Sequence, residues 1–565
     1  YGQSYLPKKV TLNNSTAYTL APTTASGFAL DGNGQRIQKA DGISDNGYPK
    51  VFDNLSAVFK PGATLSNYLS VGQRKGATNF NASVQNIKET GVLALLQGYS
   101  RQNFRVNVDH EMSDNLNLST GAFYGRSHAD QTNEGSLFFG LRFLEPNIDI
   151  TANNPDGSPY KAAIRQTPSS GNVSNPLYRI NNQKTSNDRD RFTGTLKLNY
   201  RPMDWLTAEG NFNYDESNAN FKQFTPIGFI GSTGTKGSGS LFQALENDHS
   251  YNMGATLTSV RSFTKWLNNT TKLAWVYEDQ TTNKVNVNSS KLTVPGVTEF
   301  GAAAQDPNSP VIPGSATLAI RNQNYFAVTT FDIKDRYVLD ALVRQDESSL
   351  FGAKSRKATY HRLSGAWRFT EDFHIPGVDE LKLRASYGTA GLRPPFEAQY
   401  EVFSVAGGSP SKVTLGNPLL KPAFSKETEY GFNLNFLRNF TVEYSYSSKV
   451  TSDQILNVPT SAATGYRNTW VNAATLAGNT HELALGAVLV SAKDLFWRVN
   501  VTADRTRSTI TKLNVGPFLV GPNGNDANTK IFRIAAGQKF GIIYGSTWIQ
   551  SADQLATNIA NGKLK

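Results

Sequence analysis

Residues 430–446 read YGFNLNFLRNFTVEYSY, and this stretch decides the fold class. From Tyr430 to Phe436 apolar side chains alternate with glycine and asparagine, and after a short turn near 438–439 the alternation resumes at Phe440. Successive side chains of a strand point to opposite faces, so each half predicts a β-strand with one apolar and one polar face. The stretch therefore predicts two strands joined by a short turn.

The same alternation recurs along the chain. It is clearest at 104–109, 192–200, 206–214, 381–387, 440–446 and 497–504. Charged residues stand mid-strand on the polar faces, and many segments reach about 9–11 residues, the length that crosses a bilayer at a tilt. These features favour an all-β, transmembrane antiparallel β-barrel.

The connections between these segments alternate in length. Short turns are predicted near 111–115, 201–205, 261–266, 334–336, 438–439 and 491–495. Long polar loops are predicted near 126–189, 216–249, 279–322, 389–426 and 450–479. An outer-membrane barrel has short turns at one end and long loops at the other. A soluble β-sandwich, for instance a glycan-binding protein, remains an alternative but gives no reason for this alternation.

About sixteen strands are predicted, with another possible within 8–20 and an ambiguous region over 507–565. They are 64–72, 78–87, 102–110, 116–125, 190–200, 206–215, 250–260, 267–278, 323–333, 337–346, 359–369, 381–388, 427–437, 440–449, 480–490 and 496–506. An open sheet edge in hydrocarbon leaves backbone groups unpaired. We therefore expect strands outside this chain to complete the barrel.

Aromatic residues mark the predicted strand ends, as in the girdles that barrels place at the two membrane interfaces. Those beside short turns are Trp205, Trp266 and Phe496, and those toward the long loops are Tyr99, Tyr124, Tyr214 and Tyr446.

The composition excludes several other classes. The 565 residues contain no stretch near the ~18 consecutive apolar residues of a spanning helix. The absence of cysteine excludes disulfides, cysteine–zinc sites and thiol catalysis. The net charge is +11, but the basic residues are scattered, which favours a solvated cationic surface over nucleic-acid binding.

The chain carries no enzyme signature. None of the six histidines has metal-ligand spacing with another, and His481-Glu482 lacks the second histidine of a zincin motif because Leu485 stands there. The glycine-rich run 231–240 lacks Walker spacing, and the turn at 523–526 has one carboxylate, too few for calcium. We therefore predict no catalytic residue, no metal site and no cofactor, and no substrate-binding residue is assigned.

Several blocks, in their order, resemble the barrel domain of TonB-dependent outer-membrane transporters of the SusC/RagA-like family. They are KDRYVL at 334–339, RQDESSLFG at 344–352, LKLRASYG at 381–388, GNPLLKP at 416–422, and the glycine and aromatic positions of 537–545. The chain departs from the family pattern at 72–76, at Asp346-Glu347, and over 389–410, which contains LRPPF at 392–396.

The resemblance implies about 22 strands around a plug, of which about sixteen or seventeen would lie in this chain. Residues 61–565 would then be an incomplete transmembrane barrel, and residues 1–60 a barrel segment or loop that follows a missing plug. The resemblance further implies active import across the outer membrane of a Gram-negative bacterium. TonB would drive it, a SusD-like surface lipoprotein would cap the loops, and the cargo would be an oligosaccharide or a peptide.

Six charged residues on polar strand faces would line the lumen, or would only hydrate it and pair with the plug. They are Arg105, Lys197, Glu209, Arg384, Glu443 and Arg498. Tyr466 and Trp470 would stack on sugar rings, or would only pack among the loops. Two alternative functions stay open: a siderophore or cobalamin receptor without a lid, and a structural or adhesive surface barrel.

Overall fold

The computed structural model describes residues 9–12, 15–18, 52–132, 137–138, 141, 144, 148–167, 171–231, 235–352, 354–406, 409–521, 530–545, 551 and 553–554. Side chains of 9–12, 15–18, 163–167, 171–174 and 405–406 are left out of the description. The predicted turn at 523–526 and most of segment 1–60 lie outside the described residues.

The described residues form strands almost throughout. The strands are β1 Lys9–Leu12, β2 Ser15–Tyr18, β3 Thr64–Lys75, β4 Thr78–Glu89, β5 Tyr99–Ser113, β6 Leu116–Gln131, β7 Ala163–Thr167, β8 Gly171–Ser174, β9 Lys184–Met203, β10 Leu206–Thr225, β11 Ser240–Thr264, β12 Leu267–Ser289, β13 Ile312–Ile333, β14 Tyr337–Ser348, β15 Lys357–Arg368, β16 Val378–Leu392, β17 Val402–Ala406, β18 Ser409–Leu415, β19 Ala423–Phe436, β20 Phe440–Pro459, β21 Asn468–Ser491, β22 Phe496–Leu513, β23 Phe518–Val520 and β24 Phe532–Ile534. The α-helices are α1 Asn54–Val58 and α2 Pro176–Asn182, and 3₁₀ helices lie at Phe300–Ala302, Phe369–Glu371, Phe396–Gln399 and Ala462–Thr464. No helix among the described residues is long and apolar enough to cross a bilayer.

Eighteen strands share one sheet whose hydrogen-bonded order is that of a closed barrel. The order is β10-β11-β12-β13-β14-β15-β16-β17-β18-β19-β20-β21-β22-β3-β4-β5-β6-β9, with additional pairings β16–β19 and β18–β21. All sixteen predicted strands lie in this sheet. The possible strand within 8–20 is instead a separate hairpin of β1 and β2.

The predicted long loops were largely wrong, because the strands continue into them. β11 begins at Ser240 and β12 runs to Ser289, well inside segments predicted as loops, and β20 and β21 leave only 460–467 between them. The apolar alternation used for the prediction extends only as far as the hydrocarbon layer does. Beyond it the backbone hydrogen bonds of the ladder continue without a regular alternation of apolar and polar side chains, as at Leu241-Phe242 and Ile455-Leu456, so the pattern does not register these parts of the strands.

Strands β17 and β18 fall within the predicted loop 389–426 and were also missed. They form an antiparallel hairpin, and β18 then pairs in parallel with β21 through Thr414 opposite Asn468. A short parallel pairing has no local turn signal, so sequence patterning does not reveal it.

The short turns are confirmed, and their backbone conformations explain them. Lys334 and Asp335 between β13 and β14 have φ of 59° and 55°, and Leu437 and Arg438 between β19 and β20 have φ of 49° and 63°. Two consecutive left-handed residues are typical of the type I′ turn, whose twist matches that of a two-strand ribbon. The Asp332 carboxylate accepts a hydrogen bond from the Asp335 amide at 3.0 Å and stabilises the first turn.

The chain forms two compact units. The first comprises Tyr1–Leu198, Phe212–Tyr251 and Gln280–Ala319, and the second comprises Asn199–Asn211, Asn252–Asp279 and Ile320–Lys565. Within the first, Val58 of α1 and Ile180 of α2 belong to a buried apolar cluster with Ile150 and Leu177. This cluster packs the connection between β6 and β9 onto the segment that precedes β3.

Large apolar side chains are exposed on one strand face, as the predicted lipid-facing surface requires. Phe104 is 47% exposed and lies opposite Tyr124 and Val84 on the neighbouring strands, whereas Arg105 lies opposite Phe123. Exposed apolar side chains in rows of this kind are unfavourable in water and suit hydrocarbon.

Candidate functional site

The candidate site is a wall of paired charges on the polar face of the second unit, and Arg384 on β16 is at its centre. Its Nη1 donates to Glu429 Oε1 at 2.9 Å on β19. Its Nη2 donates to Glu443 Oε1 at 3.0 Å and to Ser445 Oγ at 2.6 Å on β20. One guanidinium therefore joins three adjacent strands through charge-assisted hydrogen bonds.

Gly431 makes this bridge possible. It lies opposite Arg384 on β19, and a Cβ at Gly431 would be 3.0 Å from Arg384 Cζ and 2.7 Å from the Tyr444 carbonyl oxygen. The side chain of Arg384 crosses β19 over this glycine. A glycine inside a strand marks a close approach of this kind, and Gly431 is the sequence signal from which the bridge could have been predicted.

The wall continues onto β14 and β15. Arg362 Nη2 donates to Asp340 Oδ1 at 2.5 Å, and Thr330 Oγ1 donates to Asp340 Oδ2 at 3.0 Å. Sequence reasoning singled out Arg384 and Glu443 but missed Arg362 and Asp340, because pairing across strands depends on register rather than on local pattern.

The opposite face of the same strands is apolar. An open groove of about 470 Å³ on it is lined by Phe331, Leu339, Leu363 and Tyr430 among others. The two faces thus differ in chemistry: one suits hydrocarbon and the other suits water and solutes.

The blocks 344–352 and 416–422 meet beside the wall. Phe351 and Leu420 are almost fully buried, and the Gly352 amide donates to the Leu420 carbonyl at 3.2 Å. A Cβ at Gly352 would lie 2.5 Å from the Pro418 carbonyl oxygen, so only glycine fits there. Two segments about seventy residues apart in sequence are thereby fixed to each other.

Asparagine side chains hold the second block to β21. Asn417 Nδ2 donates to the Trp470 carbonyl at 3.0 Å, and the Lys421 amide donates to Asn472 Oδ1 at 3.0 Å. Each bond joins an asparagine side chain of one segment to a backbone group of the other. The segments that follow β14 and β18 are therefore joined to each other and to β21 in one layer.

Tyr466 and Trp470 occupy different environments. Tyr466 is 6% exposed, with the Lys412 ammonium 4.8 Å from its ring centre and Phe403 edge-on at 6.3 Å. Burial raises the pKa of the Tyr466 phenol, and a hydrogen bond to Glu401 adds to the effect. Its ring therefore packs among the loops, whereas Trp470 lies within β21 opposite Asn457.

The other predicted lumen residues are on described strands, but the wall does not include them. Arg105 on β5 is exposed, with its guanidinium 5.3 Å from the Phe123 ring centre. Arg498 on β22 donates from Nε to Asn500 Oδ1 at 3.2 Å. Lys197 and Glu209 lie on β9 and β10. That these four residues line a lumen stays a prediction.

A cluster at the adjoining ends of β14 and β15 fixes the connection from β15 to β16. Asp372 accepts hydrogen bonds from Tyr337 Oη at 2.6 Å and from Trp367 Nε1 at 2.9 Å, and it pairs with Arg336. The hydrogen bond from Tyr337, followed by that from Trp367, lowers the pKa of the Asp372 carboxyl. Aromatic rings around a polar anchor are typical of the interface between hydrocarbon and water.

Within the described ranges no group of three or more histidine, cysteine, aspartate or glutamate side chains could hold a metal ion. The site consists of ion pairs, hydrogen bonds and packed aromatic rings. Its chemistry suits binding and passage of polar solutes.

Comparison with known proteins identifies the family. A family model described as "TonB dependent receptor-like, beta-barrel" matches residues 147–548, more than two thirds of the chain. The chain is 23% identical over 562 residues to TonB-dependent receptor P39 of Formosa agariphila, covering 96% of this chain and 51% of that protein. It is 22% identical over 461 residues to receptor P26 of the same organism, covering 78% of this chain and 45% of that protein. It thus spans about half the length of these curated relatives.

Solved structures agree on the fold. The RagAB peptide transporter superposes with a TM-score of 0.73 at 17% identity, over 86% of this chain and 55% of that one. The outer membrane transporter YddB from Escherichia coli superposes with a TM-score of 0.53 at 12% identity, over 83% of this chain and 56% of that one.

These matches exclude the soluble β-sandwich and confirm the antiparallel barrel. The family is non-enzymatic and belongs to the outer membrane of Gram-negative bacteria. The strand order closes among the strands of this chain, which contradicts the expectation that strands outside it complete the barrel. The plug expected outside this chain stays a prediction, as does the division at residue 60. This chain belongs to the TonB-dependent receptor-like β-barrel family.

Proposed function

We propose that this chain is the barrel part of a TonB-dependent importer that carries an oligosaccharide or a peptide across the outer membrane. The observation that carries the proposal is the Arg384 wall: charged groups paired across β16, β19 and β20 on one face, with apolar side chains on the other. A barrel with this distribution has a wet interior and a lipid-facing exterior. The likeness to a peptide transporter supports the same function.

Energised opening follows from the physics of a wide polar barrel. An open lumen of this kind would leak solutes, so it requires a plug, and moving the plug requires work. In this proposal the plug lies in the part of the protein outside this chain, and the TonB system displaces it.

A SusD-like surface lipoprotein is the proposed partner at the loop end. The contacts of Gly352 with Leu420, and of Asn417 with Trp470, join the segments after β14 and β18 to β21 in an ordered layer. A rim that is already ordered loses little conformational entropy when a lid binds it, which favours a stable cap.

The test compares three strains: one with the full-length gene deleted, the same strain complemented with the wild-type gene, and a strain that has the gene but lacks TonB. Uptake of fluorescent oligosaccharides and peptides is measured, and the tagged receptor is purified to look for a co-purifying lipoprotein. We expect uptake to be lost on deletion, restored by the wild-type gene, and absent without TonB. Loss of ferric-chelate uptake alone would instead indicate a siderophore receptor, and loss of surface assembly with normal uptake would indicate a scaffold.

A further inference from the structure

A second feature of the polar face is a pocket of about 690 Å³ beside the wall, within the second unit. Its charged lining comprises four cations and three carboxylates, with Tyr360 beside them. The cations are Arg344, Arg362, Lys449 and, immediately after β16, Arg393, and the carboxylates are Asp346, Glu427 and Glu429. Glu429 is already paired with Arg384 of the wall.

Three of the four cations are neutralised by carboxylates. Arg344 pairs with Asp346. Arg362 pairs with Asp340 at 2.5 Å, within the wall described above.

Lys449 and Arg393 complete the set. Lys449 Nζ is 3.5 Å from Glu427 Oε2. Arg393 has no carboxylate within ion-pair distance and no hydrogen-bonded partner among the residues that the structure describes. It is therefore the one lining cation in the described part of the chain whose charge is uncompensated.

The backbone holds Arg393 in place. Pro394 follows it, is fully buried, and is itself followed by Pro395. A proline fixes its own φ and restricts the residue before it to extended conformations. The guanidinium is thus presented from a stiff segment, which limits the entropy lost when a ligand binds.

The wall of the pocket is equally well defined. Tyr360 is 5% exposed and its ring stacks on Phe424 with centroids 6.1 Å apart. A Cβ at Gly391 would lie 1.8 Å from Tyr360 Oη, so the chain must have glycine there for the tyrosine to fit. Residues 391–393 thus form one side of the pocket.

We propose that this pocket binds a carboxylate carried by the imported molecule, with Arg393 as the anchoring cation. A guanidinium recognises such groups through two parallel N–H···O bonds. The inference rests on the proposed import function and adds a substrate class to it.

The test uses the full-length protein in detergent micelles and isothermal titration calorimetry. The probes are a glutamate-containing hexapeptide, a galacturonic acid hexamer, and two neutral controls, a serine–glycine hexapeptide and maltohexaose. The variants are Arg393→Gln, Arg393→Lys and Lys382→Gln. Lys382 is the matched control, because it is a cation on the face of β16 that carries Arg384 and it does not line this pocket.

We expect at least one anionic probe to bind wild type and Lys382→Gln with equal affinity and to bind Arg393→Gln about tenfold more weakly, as removal of a charge-assisted bond predicts. Arg393→Lys should recover part of the loss, and added salt should weaken binding. The peptide and galacturonate arms identify which cargo carries the anion. Resistance of the folded barrel to SDS, read on an unheated gel, checks that each variant folds.

The proposal is overturned if both anionic probes bind the Arg393 variants with wild-type affinity. That result is expected if the plug occupies the pocket. The proposal is also overturned if Arg393→Gln lowers the affinity for the neutral probes as much as it lowers the affinity for the anionic ones. Failure of import is detected separately, since it is measured by uptake in deletion strains. If the import function is wrong, uptake is unchanged on deletion, whatever the effect of Arg393→Gln on binding. If only the pocket proposal is wrong, uptake is lost on deletion but Arg393→Gln binds the anionic probes like wild type.

Discussion

Replacing Gly352 with alanine should loosen the layer of loops while the barrel stays folded. The added Cβ would lie 2.5 Å from the Pro418 carbonyl oxygen and 2.6 Å from the Leu420 carbonyl oxygen. Both neighbours are backbone atoms of a buried segment, so neither can move away as a flexible side chain would. Overpacking of this kind costs ~1–3 kcal/mol, and the bond from Gly352 to Leu420 would be strained as well. We expect a local loss of about 2 kcal/mol.

Hydrogen exchange read by mass spectrometry measures this loss directly. A local cost of about 2 kcal/mol raises the population of the open form about 30-fold, so amides of 349–352 and 416–421 should exchange about 30 times faster. The matched control is Gly301→Ala in another loop, where a Cβ would have no neighbour within 4 Å. The packing argument would be refuted if amides of 349–352 and 416–421 exchanged at the wild-type rate in Gly352→Ala, or if Gly301→Ala accelerated their exchange equally.

Two further predictions concern the charged groups. Arg384→Gln should lower the free energy of unfolding by about 1–2 kcal/mol, because it leaves Glu429 and the half-exposed Glu443 without their shared cation. Urea unfolding in detergent measures this change. A double variant with Glu443→Gln should lose less stability than the sum of the losses in the two single variants. Asp372→Asn should flatten the acid limb of the stability curve: the hydrogen bond from Tyr337 lowers the pKa of Asp372 in the folded protein, so its stabilisation is present above the ordinary aspartate pKa and is lost as pH falls through the lowered value. An unchanged acid limb in that variant would contradict the assigned role.

Local pattern was sufficient for the membrane-crossing part of the strands and for the short turns. The stretch at 430–446 predicted two strands and a turn, and the structure has β19, the left-handed pair Leu437-Arg438 and β20 there. Side-chain alternation and turn length are properties of neighbours in sequence, and a one-residue shift would put every apolar side chain on the wrong face.

Side-chain alternation did not identify the parts of the strands that extend beyond the hydrocarbon layer. It placed loops over 216–249 and 450–479, where much of the ladder continues without regular apolar alternation. It also missed β17 and β18, whose hairpin docks on β21 through a parallel pairing.

For the candidate site, the sequence by itself determined which charged residues lie on a polar strand face, Arg384 and Glu443 among them, because period-two alternation assigns the face. Only the tertiary structure decided which charges pair. The register between β16, β19 and β20 brings Arg384 to both glutamates over Gly431, and the docking of 391–395 against Tyr360 leaves Arg393 without a partner among the described residues. Register and docking are set by backbone hydrogen bonds and packing between segments far apart in the chain, and no property of a single segment specifies them.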